Sequence, residues 1–396
     1  MPVQVDVVLG LQWGDEGKGK VVDALADRYE VVARFQGGPN AGHTLYHRGQ
    51  KVVLHQVPAG IFHEAVKCLI ADGMVIDPEL LVEEIAGLER MGLSVKERLF
   101  LGEGVHLILP VHRWLEEVSR EAERIGTTRR GIGPAYADRY ARRGISLADL
   151  KRSDYRGRIL DLIAYHQAHF PGAPPVRIPE SFWAALESLR GLRWVSTYEW
   201  LRNYKRILAE GSQGTMLDVF AGSYPYVTSS HTTVAGVCAG LLVSPRQIGE
   251  VWGVIKAYAT RVGAGPFPTE VTGAIASWLQ ERGHERGSTT GRLRRCGWLD
   301  LVLLRYAIEL NGVTGLIVTK GDVLAGLPSV KVRIGGPDDA PLYEELTGWE
   351  SVSDPNYEAF LCWIEGQTGI PVWAISTGPR RKDWLIRRKD LLPEKA

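Results

Sequence analysis

The sequence has few cysteines, almost no net charge and no long apolar run. Its 396 residues contain four cysteines that lie far apart, without the spacing of a zinc site. We therefore expect reduced thiols rather than a disulfide framework or a zinc ion. The formal net charge of +1 argues against a nucleic-acid or membrane partner. Because the first residues show neither a basic segment nor a long apolar run, we expect no signal peptide and no transmembrane helix, and we predict a cytoplasmic protein.

Short apolar runs alternate with helical patterns along the chain, and no internal repeat or linker interrupts them. Strands are predicted at residues 3–10, 31–36, 251–258, 315–319 and 371–376. Helices are predicted at residues 21–28, 77–91, 107–125, 155–170, 179–189, 197–207, 299–310 and 355–368, whereas residues 126–140 are predicted to form a loop. This alternation predicts an α/β fold with an open, mainly parallel central sheet flanked by helices. We expect a single domain over residues 1–396, with a helical insertion around residues 110–210.

The segment at residues 14–20, GDEGKGK, follows an apolar run and opens a helical pattern. Glycines in this setting let backbone N–H groups turn toward phosphate oxygens, and the helix N-terminus favours negative charge. The spacing nearly fits a nucleotide-binding P-loop, but Val21 stands where that loop carries a metal-binding Ser or Thr. If Mg²⁺ accompanies a triphosphate here, Asp15 is the nearest candidate ligand. The alternative is a glycine-rich turn with two solvated lysines.

A second glycine-rich segment, residues 36–44, contains His43 without surrounding apolar periodicity. An imidazole beside a phosphate can donate a proton to charge that develops during phosphoryl transfer. His43 and Asp15 are therefore the candidate catalytic residues.

A third signal is the strand at residues 315–319, which is followed by Lys320 and Asp322. One carboxylate can accept hydrogen bonds from both the ring N–H and the exocyclic amine of guanine, whereas adenine offers no such pair of donors. The pattern favours GTP over ATP, although a solvated turn at a strand end has the same composition.

Nine segments, in one order over nearly the whole chain, resemble the adenylosuccinate synthetase family. They are GDEGKGK at Gly14, QGGPNAGHT at Gln36, IGTTRRGIGPAYADRYARRG at Ile125, EGSQGTMLD at Glu210, YPYVTSSHTT at Tyr224, TRVGAGPFPTE at Thr260, TTGRLRRCGWLD at Thr289, TKGDVL at Thr319 and ISTGP at Ile375. The resemblance implies a cytoplasmic ligase of purine biosynthesis that uses GTP to join IMP to L-aspartate through 6-phosphoryl-IMP. It also implies a homodimer with one Mg²⁺ per subunit.

The resemblance further implies roles for individual residues. Asp15 would remove the N1 proton of IMP, His43 would act as an acid at the γ-phosphate, and Asp15 and the Gly42 carbonyl would bind Mg²⁺. The implied GTP-binding residues are Gly14, Glu16, Gly17, Lys18, Gly19, Lys20, Gly42, Thr44, Arg294, Lys320, Asp322, Ser376, Thr377 and Gly378. The implied IMP-binding residues are Asp15, Lys18, Asn40, His43, Thr128, Gln213, Thr228, Arg292 and, from the partner subunit, Arg142. The implied aspartate-binding residues are Val262, Ser288, Thr289, Thr290, Gly291, Arg292 and Arg294.

The chain departs from the family pattern at Arg129 and Leu293, where glycine and arginine are more usual; neither residue is assigned a role. Two functions from other classes share part of these signals. A signalling GTPase would need a P-loop Ser or Thr, which Val21 replaces, and a DxxG switch. An RNA-binding protein would use the basic stretches at residues 129–143 and 380–389, but the net charge of +1 argues against it.

Overall fold

The computed structural model of the chain describes residues 3–119, 125–287 and 291–388. Nineteen strands lie within these ranges: β1 (Gln4–Gly10), β2 (Val31–Arg34), β3 (His43–His47), β4 (Gln50–Leu54), β5 (Lys67–Ile70), β6 (Val75–Ile76), β7 (Leu99–Gly102), β8 (His106–Leu107), β9 (Arg193–Val195), β10 (Arg206–Glu210), β11 (Ile248–Lys256), β12 (Ala259–Arg261), β13 (Arg295–Gly297), β14 (Leu299–Asp300), β15 (Gly315–Thr319), β16 (Ser329–Gly335), β17 (Leu342–Thr347), β18 (Val372–Ser376) and β19 (Trp384–Ile386).

The α-helices within the same ranges are α1 (Lys18–Leu25), α2 (Pro78–Arg90), α3 (Val95–Arg98), α4 (Pro110–Val118), α5 (Ile132–Tyr140), α6 (Tyr155–Ala168), α7 (Glu180–Arg190), α8 (Thr197–Leu201), α9 (Val234–Leu241), α10 (Gly273–Arg282), α11 (Leu301–Asn311), α12 (Gly321–Leu324) and α13 (Pro355–Thr368). Within the described ranges, no helix is both long and apolar enough to span a membrane.

Ten strands form the central sheet, in the order β19–β18–β15–β11–β1–β10–β2–β5–β7–β9. Each neighbouring pair is parallel except β18 and β19, which are antiparallel. The predicted fold class, an open and mainly parallel sheet flanked by helices, is confirmed. The assignment of the whole chain to one domain with a helical insertion remains a prediction.

The central strand β1 shows why the sheet strands are apolar runs rather than alternating patterns. Val7 and Leu9 belong to an apolar cluster on one face, while Val8 packs with Val21 and Val22 of α1 on the other. A parallel strand that is covered on both faces buries every side chain, so it carries continuous apolar residues. This burial fixes β1 beneath the loop that follows it.

Because the strands are parallel, the carboxyl ends of β1, β2, β10, β11, β15 and β18 lie at one edge of the sheet. β1 pairs with β10 on one side and with β11 on the other, so later strands of the chain are added on both sides of it. Ligand sites of open α/β sheets form outside the carboxyl ends of the strands at such a point. The glycine-rich segments predicted from the sequence follow β1 and β2 at this edge.

Two predicted elements are wrong. Residues 126–140 are predicted as a loop, but α5 begins at Ile132: Gly131 takes a φ of 73° before it, and Pro134 falls in the first turn, where a missing N–H costs nothing. Residues 197–207 are predicted as one helix, but α8 ends at Leu201 and β10 begins at Arg206. Pairing of β10 with β1 and β2, which are distant in sequence, overrides the local helical preference.

The helix predicted at residues 107–125 begins at Pro110 and ends at Val118. Residues 120–124 of that prediction lie outside the described ranges. The helix predicted at residues 355–368 is confirmed at both ends, because Asp354 caps its first turn and Gly369 adopts a positive φ immediately after it.

Candidate active site

A cavity of about 680 Å³ opens at the carboxyl edge of the sheet. Most of the predicted site residues line it: Gly14, Asp15, Glu16, Gly17, Lys18, Gly19, Lys20, Asn40, Gly42, His43, Thr44, Thr128, Gln213, Thr228, Val262, Arg294, Lys320, Asp322, Ser376 and Gly378. They come from segments spread over more than 360 positions of the chain. The fold therefore brings all the predicted glycine-rich and base-reading segments to one place.

The phosphate loop between β1 and α1 is organised by a carboxylate beneath it. Glu16 is fully buried, and its side chain accepts hydrogen bonds from the backbone N–H groups of Gln12 (3.1 Å) and Gly14 (2.9 Å) and from Lys18 Nζ. Gly14, Asp15 and Gly17 adopt positive φ values of 88°, 62° and 95°. Glycine adopts such values readily, and it stands at two of the three positions. The Glu16 carboxylate is thus engaged in contacts within the loop itself.

Lys20 ties the phosphate loop to the end of β18. Its Nζ donates to Ser376 Oγ at 2.8 Å and to the carbonyl oxygens of Gly378 and Asp383. Burial lowers the pKa of Lys20 to about 8, against the opposing charge of Asp383. Within this structure the predicted phosphate-binding lysine therefore fixes the position of the predicted guanine-binding segment.

His43 lies at the start of β3 and is held by a buried glutamate. Its Nδ1 is 2.6 Å from Oε1 of Glu210, whose other oxygen accepts from the backbone N–H of Ala59 at 2.7 Å. The carboxylate accepts a hydrogen bond from Nδ1–H, so Nε2 remains available to the cavity. Burial lowers the pKa of His43 despite the pull of Glu210. The sequence contains Glu210 at the start of a recognised segment, yet nothing in the pattern pairs it with a histidine 167 positions earlier.

Asp15 forms an ion pair with Arg294, whose Nε lies 2.7 Å from Oδ2 of Asp15. The Asp15 side chain retains 30% of its exposure, whereas Arg294 is nearly buried. A second contact, 2.6 Å from Nη1 of Arg294 to Glu285, holds the other end of the guanidinium. A carboxylate that could bind a metal thus faces the cavity beside an arginine.

The base-reading segment is joined to the phosphate loop through Thr319, whose hydroxyl donates to the carbonyl oxygen of Glu16 at 2.7 Å. Lys320 takes a left-handed conformation, with φ 63°, and its Nζ donates to the Gly283 carbonyl at 2.8 Å. Asp322 follows in the first turn of α12. Asp322 also lines the cavity.

The comparisons with known proteins agree along almost the whole chain. A model of the family described as adenylosuccinate synthetase matches residues 7–385. The chain belongs to the adenylosuccinate synthetase family.

Curated family relatives include the adenylosuccinate synthetases of Christiangramia forsetii, 42% identical over 97% of this chain and 100% of that protein, and of Parabacteroides distasonis, 44% identical over 97% and 99%. The solved structure of the fully ligated adenylosuccinate synthetase of Plasmodium falciparum matches with a TM-score of 0.89 and 33% identity, covering 97% of this chain and 100% of that one. The succinoaminodeoxyadenylate synthetase of cyanophage S-2L has a TM-score of 0.69 at 24% identity, and it supports the fold alone.

Membership of the adenylosuccinate synthetase family confirms the predicted function. The chain is a GTP-dependent carbon–nitrogen ligase of purine biosynthesis that joins IMP to L-aspartate. The signalling-GTPase and RNA-binding alternatives are thereby excluded as the main activity.

Two predicted IMP-binding side chains have unused polar atoms. Asn40 Oδ1 and Gln213 Oε1 are buried without a hydrogen-bond partner among the described residues, and both residues line the cavity. Since buried polar atoms in native proteins are nearly always paired, these amides are suited to a polar ligand.

Some predicted residues do not line the cavity. The backbone N–H of Thr377 donates to the Asp383 carbonyl at 3.0 Å, in the loop that follows β18. Gly291 and Arg292 are exposed outside the cavity, and Arg142 is exposed at the end of α5. Ser288, Thr289 and Thr290 lie outside the described residues.

Ionisable side chains that were not predicted also line the cavity, among them Lys51, Glu116, Arg261, Arg282, His284 and Arg286. Arg261 is buried and donates to three backbone carbonyls, of Ala264 (3.0 Å), Pro266 (2.7 Å) and Tyr226 (3.1 Å). Burial lowers its pKa to about 10. Arg261 lies in a segment that carries the resemblance, whereas no sequence pattern distinguishes Lys51 from other strand lysines.

Proposed function

We propose that Asp15 and His43 carry out the two proton transfers of the synthetase reaction in this cavity. The observation that carries the proposal is that both side chains line one cavity, with His43 fixed by Glu210 so that Nε2 is free. The reaction has two steps. GTP phosphorylates O6 of IMP, and the amine of aspartate then displaces that phosphate at C6 to give adenylosuccinate.

Asp15 acts as the base at N1 of IMP. O6 is a poor nucleophile while N1 is protonated, because loss of that proton places negative charge on the oxygen that attacks the γ-phosphorus. The 30% exposure of the Asp15 side chain toward the cavity supports this role. Arg294 forms an ion pair with Asp15, and its guanidinium is suited to binding a phosphate or a substrate carboxylate.

His43 acts as the acid at the γ-phosphate. Burial lowers the pKa of His43 and so disfavours the imidazolium. The charge of a bound triphosphate favours the imidazolium, which Glu210 supports through Nδ1. Nε2 then donates to the oxygen on which charge develops during transfer.

The donor set fits one Mg²⁺ per subunit. No group of three or more His, Cys, Asp or Glu side chains among the described residues is arranged to hold a metal ion. Mg²⁺ in nucleotide sites, however, is bound by one or two protein oxygens together with phosphates. Asp15 and the Gly42 carbonyl, which both face the cavity, would hold it. When bound, Mg²⁺ neutralises charge on the phosphates.

The remaining residues bind substrates. Guanine is bound by Lys320, Asp322, Ser376 and Gly378, and Thr377 belongs to the same GTP-binding segment. Phosphates are bound by residues 14–20, Gly42, Thr44 and Arg294. IMP is bound by Lys18, Asn40, Thr128, Gln213, Thr228 and Arg292, and aspartate is bound by Val262, Arg292, Arg294 and residues 288–291. The placement of most of these residues around one cavity supports the assignment.

The site is completed by a second subunit. Arg142 takes a φ of 62° and projects from the end of α5 outside its own cavity. In a two-fold homodimer such a turn reaches the neighbouring site reciprocally, where Arg142 binds the phosphate of IMP. We also place the enzyme in the cytoplasm, which its four free cysteines support.

The test supplies GTP, IMP, L-aspartate and Mg²⁺ and follows the new nucleotide and the released phosphate. Asp15→Asn and His43→Asn should each lower turnover by about 10²–10⁴-fold, the usual effect of losing an acid–base group, while binding of GTP and IMP persists. A folded variant with nearly normal turnover would remove that residue from catalysis.

A further inference from the structure

Glu285 is a buried carboxylate beside the cavity for which the proposed function has no role. It follows α10, and its side chain is fully buried. Lys256 Nζ lies 2.9 Å and 3.0 Å from its two oxygens, Arg294 Nη1 lies 2.6 Å from Oε2, and the Tyr258 hydroxyl donates to Oε1. One carboxylate therefore receives four hydrogen bonds from three side chains.

The cluster is not explained by stability alone. Burying an ion pair removes two charges from water, and well-packed apolar residues of similar size are often at least as stable. Burial opposes ionisation of Glu285, but the charges of Lys256 and Arg294 outweigh it and lower its pKa to about 2. Glu285 is thus a fixed negative charge at neutral pH.

The contacts of Glu285 extend to two parts of the site. Arg294 reaches Asp15 through Nε while Glu285 holds Nη1, and the Arg294 backbone N–H donates to the Glu285 carbonyl at 2.9 Å. Two residues before Glu285, the Gly283 carbonyl accepts from Lys320. The same short turn therefore holds the arginine at the phosphate loop and the lysine at the guanine segment.

We propose that Glu285 is the positioning residue that holds Arg294 and the turn at residues 283–285 in place for nucleotide and aspartate. This inference rests on the proposed roles of Arg294 and Asp15. Asp15 acts on IMP and would bind a metal ion during the reaction, so its ion pair with Arg294 is broken when ligands bind. The contact between Glu285 and Nη1 remains and keeps the Arg294 guanidinium oriented toward the cavity.

The test compares Glu285→Gln with Glu270→Gln. Glu270 pairs with Arg295, the next residue after Arg294, and neither residue lines the cavity. The control therefore removes a partly exposed glutamate–arginine pair from the same segment. For Glu285→Gln we expect weaker binding of a fluorescent GDP analogue and a higher KM for aspartate, each by about 10- to 100-fold, the effect of one lost charge-assisted hydrogen bond. Equilibrium binding of IMP should stay unchanged, because Glu285 contacts none of Asn40, Thr128, Gln213 and Thr228. Glu285→Asp, which keeps the charge, should recover part of the loss.

A merely structural role would instead lower thermal stability and weaken all three ligands together, and that result would overturn the proposal. A normal KM for aspartate in Glu285→Gln would also overturn the proposal. If Asp15→Asn is inactive at the same time, the proposed function itself stands. If Glu285→Gln does not fold, Tyr258→Phe removes one neutral donor and keeps the charges. It should raise the aspartate KM by about 2- to 10-fold, and an unchanged KM would refute the inference.

Discussion

Replacing Glu210 with glutamine should disable His43 without displacing it. The carboxylate has two acceptor oxygens, one for Nδ1 of His43 and one for the N–H of Ala59. An amide has only one. If the amide oxygen accepts from Ala59, the amide NH₂ group donates to Nδ1 of His43. This contact stabilises the neutral tautomer with its proton on Nε2 and opposes protonation of Nδ1, so His43 cannot become the imidazolium acid.

The magnitude follows from these contacts. Both partners are buried, and a hydrogen bond to a charged group contributes roughly 1.5–3 kcal/mol, so kcat should fall about 10- to 150-fold. The change in the pKa of His43 also sets the direction in which the pH profile of kcat should shift. Because the Glu210 carboxylate raises the pKa of His43, its removal lowers that pKa, and the loss of kcat at high pH should begin at a lower pH than in the wild type.

The assay is the pH dependence of kcat, with thermal melting to verify the fold. Glu84→Gln is the control, because Glu84 is a half-buried carboxylate that likewise accepts backbone N–H groups, those of His55, Gln56 and Val57. No contact joins it to His43. The control should keep kcat close to the wild-type value at pH 8. A folded Glu210→Gln variant with normal kcat and an unshifted profile would refute the reasoning.

Three further predictions follow from the site. Asp322→Asn should weaken GTP binding by roughly 1–3 kcal/mol, because one guanine donor is left unpaired; an unchanged GTP affinity would remove Asp322 from the base site. Mixing Asp15→Ala with Arg142→Ala homodimers, each nearly inactive, should restore activity at about a quarter of all sites if Arg142 serves the partner subunit, and no recovery would assign it to its own subunit. Burial raises the pKa of Glu84 from its ordinary 4.5 to about 7, so its stabilising contribution is complete below pH 4.5 and lost as the pH rises through 7. Glu84→Gln should therefore flatten the fall of Tm across this range, and a slope equal to that of the wild type would contradict the shift.

The sequence by itself determined the features that are local in the chain. The phosphate loop is a run of seven residues between a strand and a helix, so its glycines, its lysines and the missing hydroxyl at Val21 could be interpreted without a fold. The predicted bounds of helix α13 are correct at both ends, and its cap residues, Asp354 and Gly369, adjoin it in the chain. The apolar strands β1 and β15 were equally clear, since burial on both faces leaves a continuous apolar run.

Only the tertiary structure decided the contacts between residues that are distant in the chain. The helix predicted at residues 197–207 includes the first two residues of β10, because the local sequence carries no sign of the two strands that pair with β10. Glu210 contacts His43 from 167 positions away, and Glu285, in the turn after α10, contacts Lys256 at the end of β11. A buried carboxylate looks in sequence like any solvated glutamate, because its partners are chosen by packing. The catalytic candidates could therefore be predicted from local motifs, whereas the residues that hold them in position could not.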